Sequence, residues 1–381
     1  MEMRNILITG GAGFIGANLA LELVKRGYRV RVLDALTPQI HGENPEEDSP
    51  LYQSIKGKVD FIKGTVTSRS DWERAIEGVD CIVHLAAETG TGQSMYEIEK
   101  YVTANIGGTA IMLDILANQK HNVKRVVIAE SRAIYGEGQY YSEELGKVVC
   151  PGPRAEADML DGDFEVKYPG CNETLRLVAT DENCEIHPTS IYGLTKQVQG
   201  QMAHMICPAI GIDCVTLRYQ NVYGPGQSLQ NPYTGILAIF STLIRKVKKI
   251  NIFEDGQESR DFVYIDDVVD ATIRAIEVPE ARGHAFNIGT GVSTTVTEVV
   301  ETLMEKFGRQ VPIEVSGNFR IGDIRHNYAD ISKARAILGF EPKWDFPSGI
   351  AKFVSWAKTQ SEGTDAYEAS LEEMRQKGLY K

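Results

Sequence analysis

The stretch that most constrains the fold is ITGGAGFIG, which follows the first apolar run of the chain, NILIT (5–9). It places Gly10, Gly13 and Gly16 between that run and an amphipathic segment that stops at Gly27. A strand, a glycine turn and a helix in this order form the turn that receives a dinucleotide pyrophosphate. Gly10 permits the tight turn, Gly13 lets the backbone approach the phosphates, and Gly16 lets helix and strand pack closely. The alternative is an ordinary tight turn, since glycines mark those too.

A carboxylate follows the second apolar run and predicts which dinucleotide binds. The run RVRVLD (29–34) ends in Asp34. A carboxylate at this place accepts hydrogen bonds from the ribose hydroxyls of NAD and repels the extra phosphate of NADP. Arg31 lies inside the strand and is poorly placed to favour NADP. We therefore expect NAD as the cofactor, the alternative being a solvated Asp34.

Further apolar runs alternate with helical stretches and predict the fold class. VDFIKG, VDCIVHLAA, VKRVVIAES and CVTLRY continue the series of strands. Continuous apolar strands separated by helices argue for a parallel sheet that is covered on both faces. We predict an α/β fold, a Rossmann-type doubly wound parallel sheet with a smaller, mostly C-terminal substrate-binding lobe. The predicted units are an NAD-binding domain over 1–218, a lobe over 219–357 from which segments near 262–288 return to the first domain, and a tail over 358–381.

Two stretches depart from this alternation. Residues 138–187 are rich in Gly, Pro, Glu and Asp without a sustained period, which is typical of a surface insertion. In the tail, Tyr367, Leu371 and Met374 fall at helical spacing, and a solvated terminal helix is the simpler interpretation.

Composition narrows the class of partner. The chain of 381 residues is 43% hydrophobic and carries a net charge of −12, which disfavours nucleic acid and acidic membranes. No apolar run approaches about 18 residues, and the first residues enter a strand without signal-peptide architecture. The six cysteines show no paired spacing and are typical of reduced thiols. We expect a soluble cytoplasmic protein without a membrane partner.

A tyrosine and a lysine lie four residues apart in SIYGLTK. On a helix Tyr192 and Lys196 share one face. A neighbouring ammonium stabilises a phenolate and lowers the tyrosine pKa, so Tyr192 could accept a proton from a sugar hydroxyl. Ser131 ends a predicted parallel strand, at the edge where α/β sheets bind ligands, and could orient the reacting oxygen. The alternatives are a surface tyrosine stacked on a lysine stem and a serine that makes a local turn bond.

Motifs along the chain resemble the extended short-chain dehydrogenase/reductase family of nucleotide-sugar enzymes. They are TGGAGFIG, HLAAETG, ANIGGT, ESRAIYG, YGLTK, RYQNVYGPG, RDFVYIDDV, FNIGTG and GDIRHNYAD, and they cover about residues 4–355. The resemblance implies a Rossmann domain, retained NAD, a nucleotide-sugar substrate and a homodimer built on a four-helix interface. Within the family, three stretches resemble the branch that interconverts dTDP-L-rhamnose and dTDP-6-deoxy-L-talose: VLDALTPQIHG, ETGTGQSMYEIEKYV and YQNVYGPGQSLQNPYTGILAIF.

Site residues follow from the resemblance by position. The catalytic set is Ser131, Tyr192 and Lys196. The cofactor-binding set is Gly10, Gly13, Phe14, Ile15, Gly16, Asp34, Thr65, Val66, Leu85, Ala86, Ala87, Asn105, Tyr192, Lys196 and Tyr219. The substrate-binding set is Thr89, Ser131, Arg132, Asn221, Arg260, Arg320 and Asp323. Arginines suit this role because a guanidinium fork matches a diphosphate, and the alternative for each is a surface ion pair.

The chain departs from the family pattern at two places. Thr65 stands where relatives usually carry an Asp near the adenine, which weakens that contact without excluding it. Cys150, Cys171, Cys184 and His187 in the insertion are too irregularly spaced for a zinc site, so no metal is predicted.

The sequence is compatible with three functions. The first is a C4 epimerase of a nucleotide sugar. The second is a dehydratase, decarboxylase or ketosugar reductase on the same site, but Arg132 and Ala133 lack the acid–base pair that elimination requires. The third is a dinucleotide-binding protein without turnover, which would not need to retain Ser131, Tyr192 and Lys196.

Overall fold

Strands and helices alternate from the start of the chain, as the apolar runs predict. The computed structural model describes residues 3–229, 231, 235–361 and 367–381. The strands of this part are β1 Asn5–Thr9, β2 Arg29–Asp34, β3 Asp60–Lys63, β4 Cys81–His84, β5 Arg125–Ser131, β6 Tyr140–Ser142, β7 Lys147–Val149, β8 Arg176–Leu177, β9 Asp213–Tyr219, β10 Asn221–Tyr223, β11 Ile250–Ile252, β12 Ser259–Arg260, β13 Phe262–Tyr264, β14 Ala285–Ile288, β15 Thr294–Thr295, β16 Ile313–Val315 and β17 His326–Asn327.

The helices fill the intervals between these strands. The α-helices are α1 Phe14–Lys25, α2 Pro38–His41, α3 Pro45–Asp48, α4 Pro50–Ile55, α5 Arg69–Ile76, α6 Thr91–Ser94, α7 Ile98–Tyr101, α8 Gly108–Asn118, α9 Glu156–Leu160, α10 Ile191–Ala209, α11 Ile236–Arg245, α12 Ile265–Glu277, α13 Val296–Phe307, α14 Phe346–Ala357 and α15 Tyr367–Gln376. Tighter turns span Arg132–Ile134 and Pro279–Ala281, and wider π-helical turns span Val102–Gly107 and Ala334–Leu338.

One seven-stranded sheet organises the site. Its order is β14-β9-β5-β4-β1-β2-β3, and all its pairs are parallel. The chain moves outward from β1 to β3 and then returns to place β4 beside β1. This reversal opens a crevice at the carboxyl ends of β1 and β4, where doubly wound sheets bind ligands. The predicted Rossmann-type fold is confirmed.

Side chains of the sheet alternate between two cores. Ile6 and Ile8 of β1 pack into the cluster on the side of α1 and α12, whereas Leu7 packs into the cluster on the side of α5, α8 and α10. Burial of each such side chain contributes about 1.5–3 kcal/mol. Because both faces are covered, the strands read as continuous apolar runs in the sequence.

The chain returns to this sheet after leaving it. β14 pairs with β9 in the register Ile288↔Tyr219, and α12 supplies Val268 and Ile273 to the core that α1 also lines. These are the segments near 262–288 that sequence expects to return. The division into domains at residues 218 and 357 stays a prediction.

The insertion over 138–187 is more ordered than its composition indicates. β6 pairs with both β7 and β8 in a small antiparallel sheet. Tyr140, Val149, Val166 and Leu175 form a core of its own. These apolar residues are too scattered along the sequence to give a period, which is why the pattern does not predict the strands.

The interpretation of the tail as a solvated helix is wrong. Met374 of α15 is 3% exposed, and Tyr380 is 5% exposed. Beyond the helix, the amide of Lys381 donates to the Phe319 carbonyl at 3.0 Å, and the amide of Phe319 donates back at 3.1 Å. The spacing of Tyr367, Leu371 and Met374 predicted a helix correctly, but packing against the lobe decides that one face is buried.

Candidate functional site

The glycine turn has no space for side chains where it meets the sheet. Gly10 has φ +67°, and a Cβ there would lie 2.8 Å from the amide nitrogen of Ala86. A Cβ at Gly16 would lie 2.3 Å from the carbonyl oxygen of Gly10. Gly13 precedes α1 and offers no side-chain cap, so the first amides of the helix, at Phe14 and Ile15, keep their donors for an anion.

Asp34 lies against this turn at the end of β2. Its Oδ2 accepts from the Ala12 amide at 2.9 Å, and its Oδ1 accepts from the Leu36 amide at 2.8 Å. Leu36 adopts φ 52°, a costly conformation that the second bond helps to hold. His41 Nε2 lies 3.7 Å from Oδ1, and burial lowers the pKa of His41, so the imidazole is neutral at pH 7. Each carboxylate oxygen keeps a lone pair for a ribose hydroxyl.

Hydrogen bonds fix Thr65 on the loop between β3 and α5, at one end of the crevice. The Thr65 amide donates to Asp71 Oδ2 at 3.0 Å, and the Thr65 hydroxyl is bonded to the Thr67 hydroxyl at 3.0 Å. Val66 packs closely on Gly108, where a Cβ would lie 2.8 Å from the valine methyl. A groove of about 640 Å³ opens beside Thr65 and Glu88. Thr65 therefore shapes the loop at the edge of this groove.

Residues 85–87 leave β4 next to the glycine turn. The Leu85 amide donates to the Thr9 carbonyl at 3.2 Å, and the Ala86 amide donates to the Thr9 hydroxyl at 3.2 Å. Together with the approach of Gly10 to Ala86, these bonds place Leu85, Ala86 and Ala87 along the floor of the crevice.

Asn105 and Tyr219 form hydrogen bonds with other residues of the protein. Asn105 is fully buried in a π-helical turn; its Oδ1 accepts from the Glu88 amide at 2.8 Å, and its Nδ2 donates to Thr195 Oγ1 at 2.9 Å. The Tyr219 hydroxyl is bonded to Thr272 Oγ1 at 2.7 Å. Asn105 thus ties the loop after β4 to α10. Contact of either residue with a cofactor stays a prediction.

Ser131 and Tyr192 meet where β5 ends and α10 begins. The Ser190 hydroxyl caps α10 by accepting from the Gly193 amide at 3.1 Å. A Cβ at Gly193 would lie 2.5 Å from the Ala133 carbonyl oxygen, so only glycine lets the helix start touch the turn after Ser131. The Ser131 hydroxyl lies beside the Tyr192 phenol, close enough for their interaction to lower the pKa of the phenol. The predicted serine–tyrosine pair is therefore assembled.

The charge that acts on Tyr192 differs from the one expected. Burial raises the pKa of Tyr192, while the Ser131 hydroxyl and the positive charge of Arg132 lower it. Lys196 instead extends along α10 and donates to Gln199 Oε1 at 3.1 Å. Burial lowers the pKa of Lys196 to about 8. In this structure the charge of Arg132 lowers the Tyr192 pKa, while the Lys196 ammonium is bonded to Gln199. The action of Lys196 on the phenolate stays a prediction.

A buried polar chain behind Lys196 was missed by the sequence analysis. Gln199 Nε2 donates to Thr109 Oγ1 at 2.7 Å, and the same hydroxyl is bonded to His84 Nε2 at 3.0 Å. His84 Nδ1 in turn is bonded to Thr9 Oγ1 at 2.7 Å. Burial lowers the pKa of His84 to about 3, so the ring is neutral. A histidine inside the apolar run CIVHLAA was the signal, since a buried imidazole needs partners.

Three predicted substrate residues lie together beside Tyr192. Arg132 Nε donates to Asn221 Oδ1 at 2.8 Å. Arg260 is anchored by the carbonyls of Arg325 and Ile324 at 2.9 and 2.7 Å. Burial lowers the pKa of Arg132, and the charge of Arg260 lowers it further. Two guanidinium groups that destabilise each other in this way form a site that an anion stabilises.

Arg320 and Asp323 complete this group from the lobe. Arg320 Nε donates to Asp323 Oδ2 at 2.8 Å. The turn they share is docked on the start of α10, where the Thr189 hydroxyl donates to the Gly322 carbonyl at 2.7 Å. The insertion braces the turn from the other side, since Arg154 Nη2 donates to the Asp323 carbonyl at 3.1 Å. Arg154, which the sequence did not predict, thereby links the insertion to the site. Thr89, which was also predicted to bind substrate, is exposed on the loop after β4.

The described ranges contain neither a metal-binding cluster nor a membrane-spanning helix. There, no three His, Cys, Asp or Glu side chains gather as a metal site would require. Cys150 and Cys184 are free thiols with sulfurs 3.0 Å apart, and the Cys171 thiol lies 3.3 Å from the Ser142 hydroxyl. Across the same residues, no helix combines the length and apolarity of a membrane span.

Known proteins match almost the whole chain. The NAD dependent epimerase/dehydratase family matches residues 6–154 and 168–289. A dTDP-L-rhamnose 4-epimerase from Burkholderia thailandensis is 38% identical over 93% of this chain and 95% of its own length. UDP-glucose 4-epimerase from Thermotoga maritima, solved with UDP-glucose, superposes with a TM-score of 0.73 at 28% identity over 93% of this chain and 98% of that one. UDP-glucuronic acid 4-epimerase from Bacillus cereus, solved with UDP-glucuronic acid and NAD, gives 0.75 at 25% identity over 93% and 99%.

The cofactor of this family fits the residues described above. The cradle at Gly10 and Gly16 excludes side chains, the start of α1 offers free amides, and Asp34 is fixed beside them. These are the elements that hold a pyrophosphate and a ribose. The sheet, the glycine turn and the extent of the match together show that this chain belongs to the NAD-dependent epimerase/dehydratase family, within the extended short-chain dehydrogenases/reductases, and that its cofactor is NAD.

Proposed function

We propose that this enzyme epimerises C4 of a nucleotide-activated 6-deoxyhexose and interconverts dTDP-L-rhamnose and dTDP-6-deoxy-L-talose through a transient 4-keto sugar. The observation that carries the proposal is the placement of Ser131 and Tyr192 side by side, next to the cations Arg132 and Arg260. It places a proton acceptor next to an anion site, which is what a sugar diphosphate requires. NAD, when bound, would supply the acceptor and donor for the C4 hydride, and the 4-keto sugar would have to turn over in the pocket between the two transfers.

The chain's own residues move and hold the proton. Ser131 binds the reacting oxygen and orients it towards Tyr192. Burial raises the pKa of Tyr192, and Ser131 and Arg132 oppose that rise. Once ionised, Tyr192 accepts the C4 hydroxyl proton as a phenolate, and it donates a proton back when the alcohol reforms. General acid–base catalysis of this kind contributes about 10²- to 10⁴-fold. While it is protonated, Lys196 places a positive charge on the same face of α10 as Tyr192.

The guanidinium groups hold the diphosphate end. Arg132 and Arg260 face each other closely enough for each charge to disfavour the other, and a diphosphate between them relieves that cost. Asn221 orients Arg132, and Asp323 orients Arg320. An acidic chain with a net charge of −12 needs such a local cluster to bind an anion.

The turn after Ser131 argues against elimination and decarboxylation. Arg132 is committed to Asn221, and Ala133 contributes only its amide, which donates to Ser131 Oγ at 3.2 Å. Neither side chain can act as the acid or base that loss of water would need.

The choice of sugar rests on the relative from Burkholderia thailandensis, which is 38% identical. UDP-hexose and UDP-uronate are the competing substrates, because solved structures of 25–28% identity are UDP-glucose and UDP-glucuronic acid 4-epimerases. A ketosugar reductase is distinguished by its need for exchangeable NADH.

A homodimer is part of the proposal. Ile98, Val102, Leu194 and Met205 expose apolar side chains on the helical segments around α7 and on α10, and Met205 is 72% exposed. Two copies of these helices would bury such side chains in a four-helix interface. Light scattering after gel filtration should give the mass of two chains, and Met205→Glu should shift it to one.

The test of function uses the protein as purified, without added NAD. It is incubated separately with dTDP-L-rhamnose, UDP-glucose and UDP-glucuronate, and C4 epimers are followed by NMR. We expect conversion of dTDP-L-rhamnose, its loss in Tyr192→Phe, and its retention in Tyr141→Phe, which removes a hydroxyl from the insertion. No C4 epimer of any sugar from NAD-loaded protein would overturn the proposal, and preference for a UDP sugar would overturn the substrate assignment.

A further inference from the structure

Glu130 is a buried carboxylate that the proposed chemistry does not use. It precedes Ser131 in β5 and is 5% exposed. Because side chains alternate along a strand, it points to the face opposite Ser131, towards α10. Burial of a charged group is costly unless the group is paired, so its position requires a reason.

Arg218 holds this carboxylate in place. Arg218 Nε donates to Glu130 Oε2 at 2.9 Å from the paired position on β9. The guanidinium is fixed in turn, since Nη1 donates to the Tyr135 hydroxyl at 2.8 Å and to the Glu182 carbonyl at 3.0 Å. Burial raises the pKa of Glu130, and the charge of Arg218 lowers it. The ion pair keeps Glu130 oriented and favours its ionised form.

The other carboxylate oxygen fills a gap in α10. A Cβ at Gly200 would lie 1.6 Å from Glu130 Oε1 and 2.6 Å from its Cδ, so the carboxylate occupies the place of a side chain on the helix. Lys196 stands four residues before Gly200 and therefore lies on the same face, one turn away. Glu130 thus approaches α10 at the turn next to Lys196.

Among the residues that the structure describes, the other groups named around Lys196 supply no negative charge. Its ammonium donates to the neutral amide of Gln199. His84, from β4, is neutral because burial lowers its pKa to about 3. Tyr192, on the same helix, is a neutral phenol before reaction, since burial raises its pKa. Burial lowers the pKa of Lys196 to about 8, and the charge of Glu130 opposes that fall.

We propose that Glu130 is a positioning residue for Lys196: its carboxylate, held by Arg218 in the gap at Gly200, keeps the Lys196 ammonium protonated on the face of α10 that also carries Tyr192. The inference rests on the proposed function, because it assigns Lys196 a charged role in that reaction. Loss of the carboxylate lowers the pKa of Lys196, so the ammonium is lost at a lower pH.

The test is the pH profile of kcat in Glu130→Gln. Side chains one helix turn apart lie on the order of 6 Å from each other, and the Glu130 carboxylate occupies such a position relative to Lys196. Two unit charges at that separation and an effective dielectric constant near 20 shift a pKa by about one to two units. We expect the alkaline limb to move down by about that amount, with a loss of about tenfold or more at pH 8.5 and activity near wild type at pH 6. Glu130→Asp, which keeps the charge, should restore most of the limb. Glu182→Gln, which removes a carboxylate beyond Arg218, should leave it in place.

A second readout does not depend on turnover. Protein labelled with ¹³C at the lysine ε-carbon reports the pKa of Lys196 directly, with Lys196→Arg used to assign the signal. The wild type should titrate near pH 8 and Glu130→Gln below it. If Glu130→Gln does not fold, Gly200→Ala displaces the carboxylate without removing it and should shift the signal in the same direction. Inactive wild type with the expected titration would refute only the proposed function; identical titrations of wild type and the folded variant would refute the role of Glu130.

Discussion

Replacement of Gly16 by alanine should separate cofactor binding from folding. The new Cβ would lie 2.3 Å from the Gly10 carbonyl oxygen and 2.5 Å from the Gly11 Cα. Both neighbours are backbone atoms, so the glycine turn itself must move away from α1. Overpacking of this kind costs about 1–3 kcal/mol, whereas alanine inside a helix gains about 1 kcal/mol over glycine. The folded protein should therefore lose only about 0–2 kcal/mol of stability.

The substitution should weaken NAD binding more than it destabilises the fold. If binding of NAD requires the undistorted turn, the same 1–3 kcal/mol opposes binding and weakens affinity by about 5- to 150-fold. NAD released from the purified protein by denaturation is quantified by chromatography, and the dissociation constant of stripped protein is measured by calorimetry. Gly152→Ala is the control, since nothing lies within 4 Å of a Cβ there. Wild-type NAD content and affinity in Gly16→Ala would refute the assignment of this turn to the pyrophosphate.

Three other predictions follow from the same geometry. Asp34→Asn should reduce the preference for NAD over NADP by about tenfold or more, because the charge that repels the extra phosphate is gone; calorimetry with both dinucleotides checks this. Ser131→Ala should lower kcat by about 10- to 100-fold at nearly unchanged NAD content, since it removes the hydroxyl that lowers the Tyr192 pKa. Burial raises the pKa of Glu258 to about 7, so the folded protein holds this proton to higher pH than the unfolded chain. Its stabilising contribution is complete below about pH 4 and is lost as the pH rises towards 7. The difference in Tm between pH 5 and pH 8 should shrink in Glu258→Gln, and an unchanged difference would contradict the assignment.

The parts of the fold that repeat along the chain were predictable. Six apolar runs became six strands of the main sheet because a strand buried on both faces must be apolar throughout. The glycine turn and Asp34 were predictable because backbone geometry limits which residues can stand there. Ser131 and Tyr192 meet as expected, since both lie at the carboxyl edge of the sheet.

Contacts between distant segments could not be predicted in this way. The Glu130–Arg218 pair spans 88 residues, and the Arg154 contact with Asp323 spans 169. Nothing in the local sequence marks such partners. The same limit explains the charge on Tyr192: the spacing of Tyr192 and Lys196 fixes a shared helix face, whereas Gln199 decides where the ammonium points. It also explains the buried tail, where Lys381 is hydrogen-bonded to Phe319, 62 residues earlier.

The central claim is that one hydride leaves C4 and returns to C4 within a single NAD-loaded active site. dTDP-L-rhamnose that carries deuterium at C4 tests it most directly, with the protein as purified and no cofactor added. We predict that NMR and mass spectrometry find dTDP-6-deoxy-L-talose with the deuterium still at C4, and no product with Tyr192→Phe. Epimer that has lost the deuterium to solvent, or product formed equally by Tyr192→Phe, would contradict the claim.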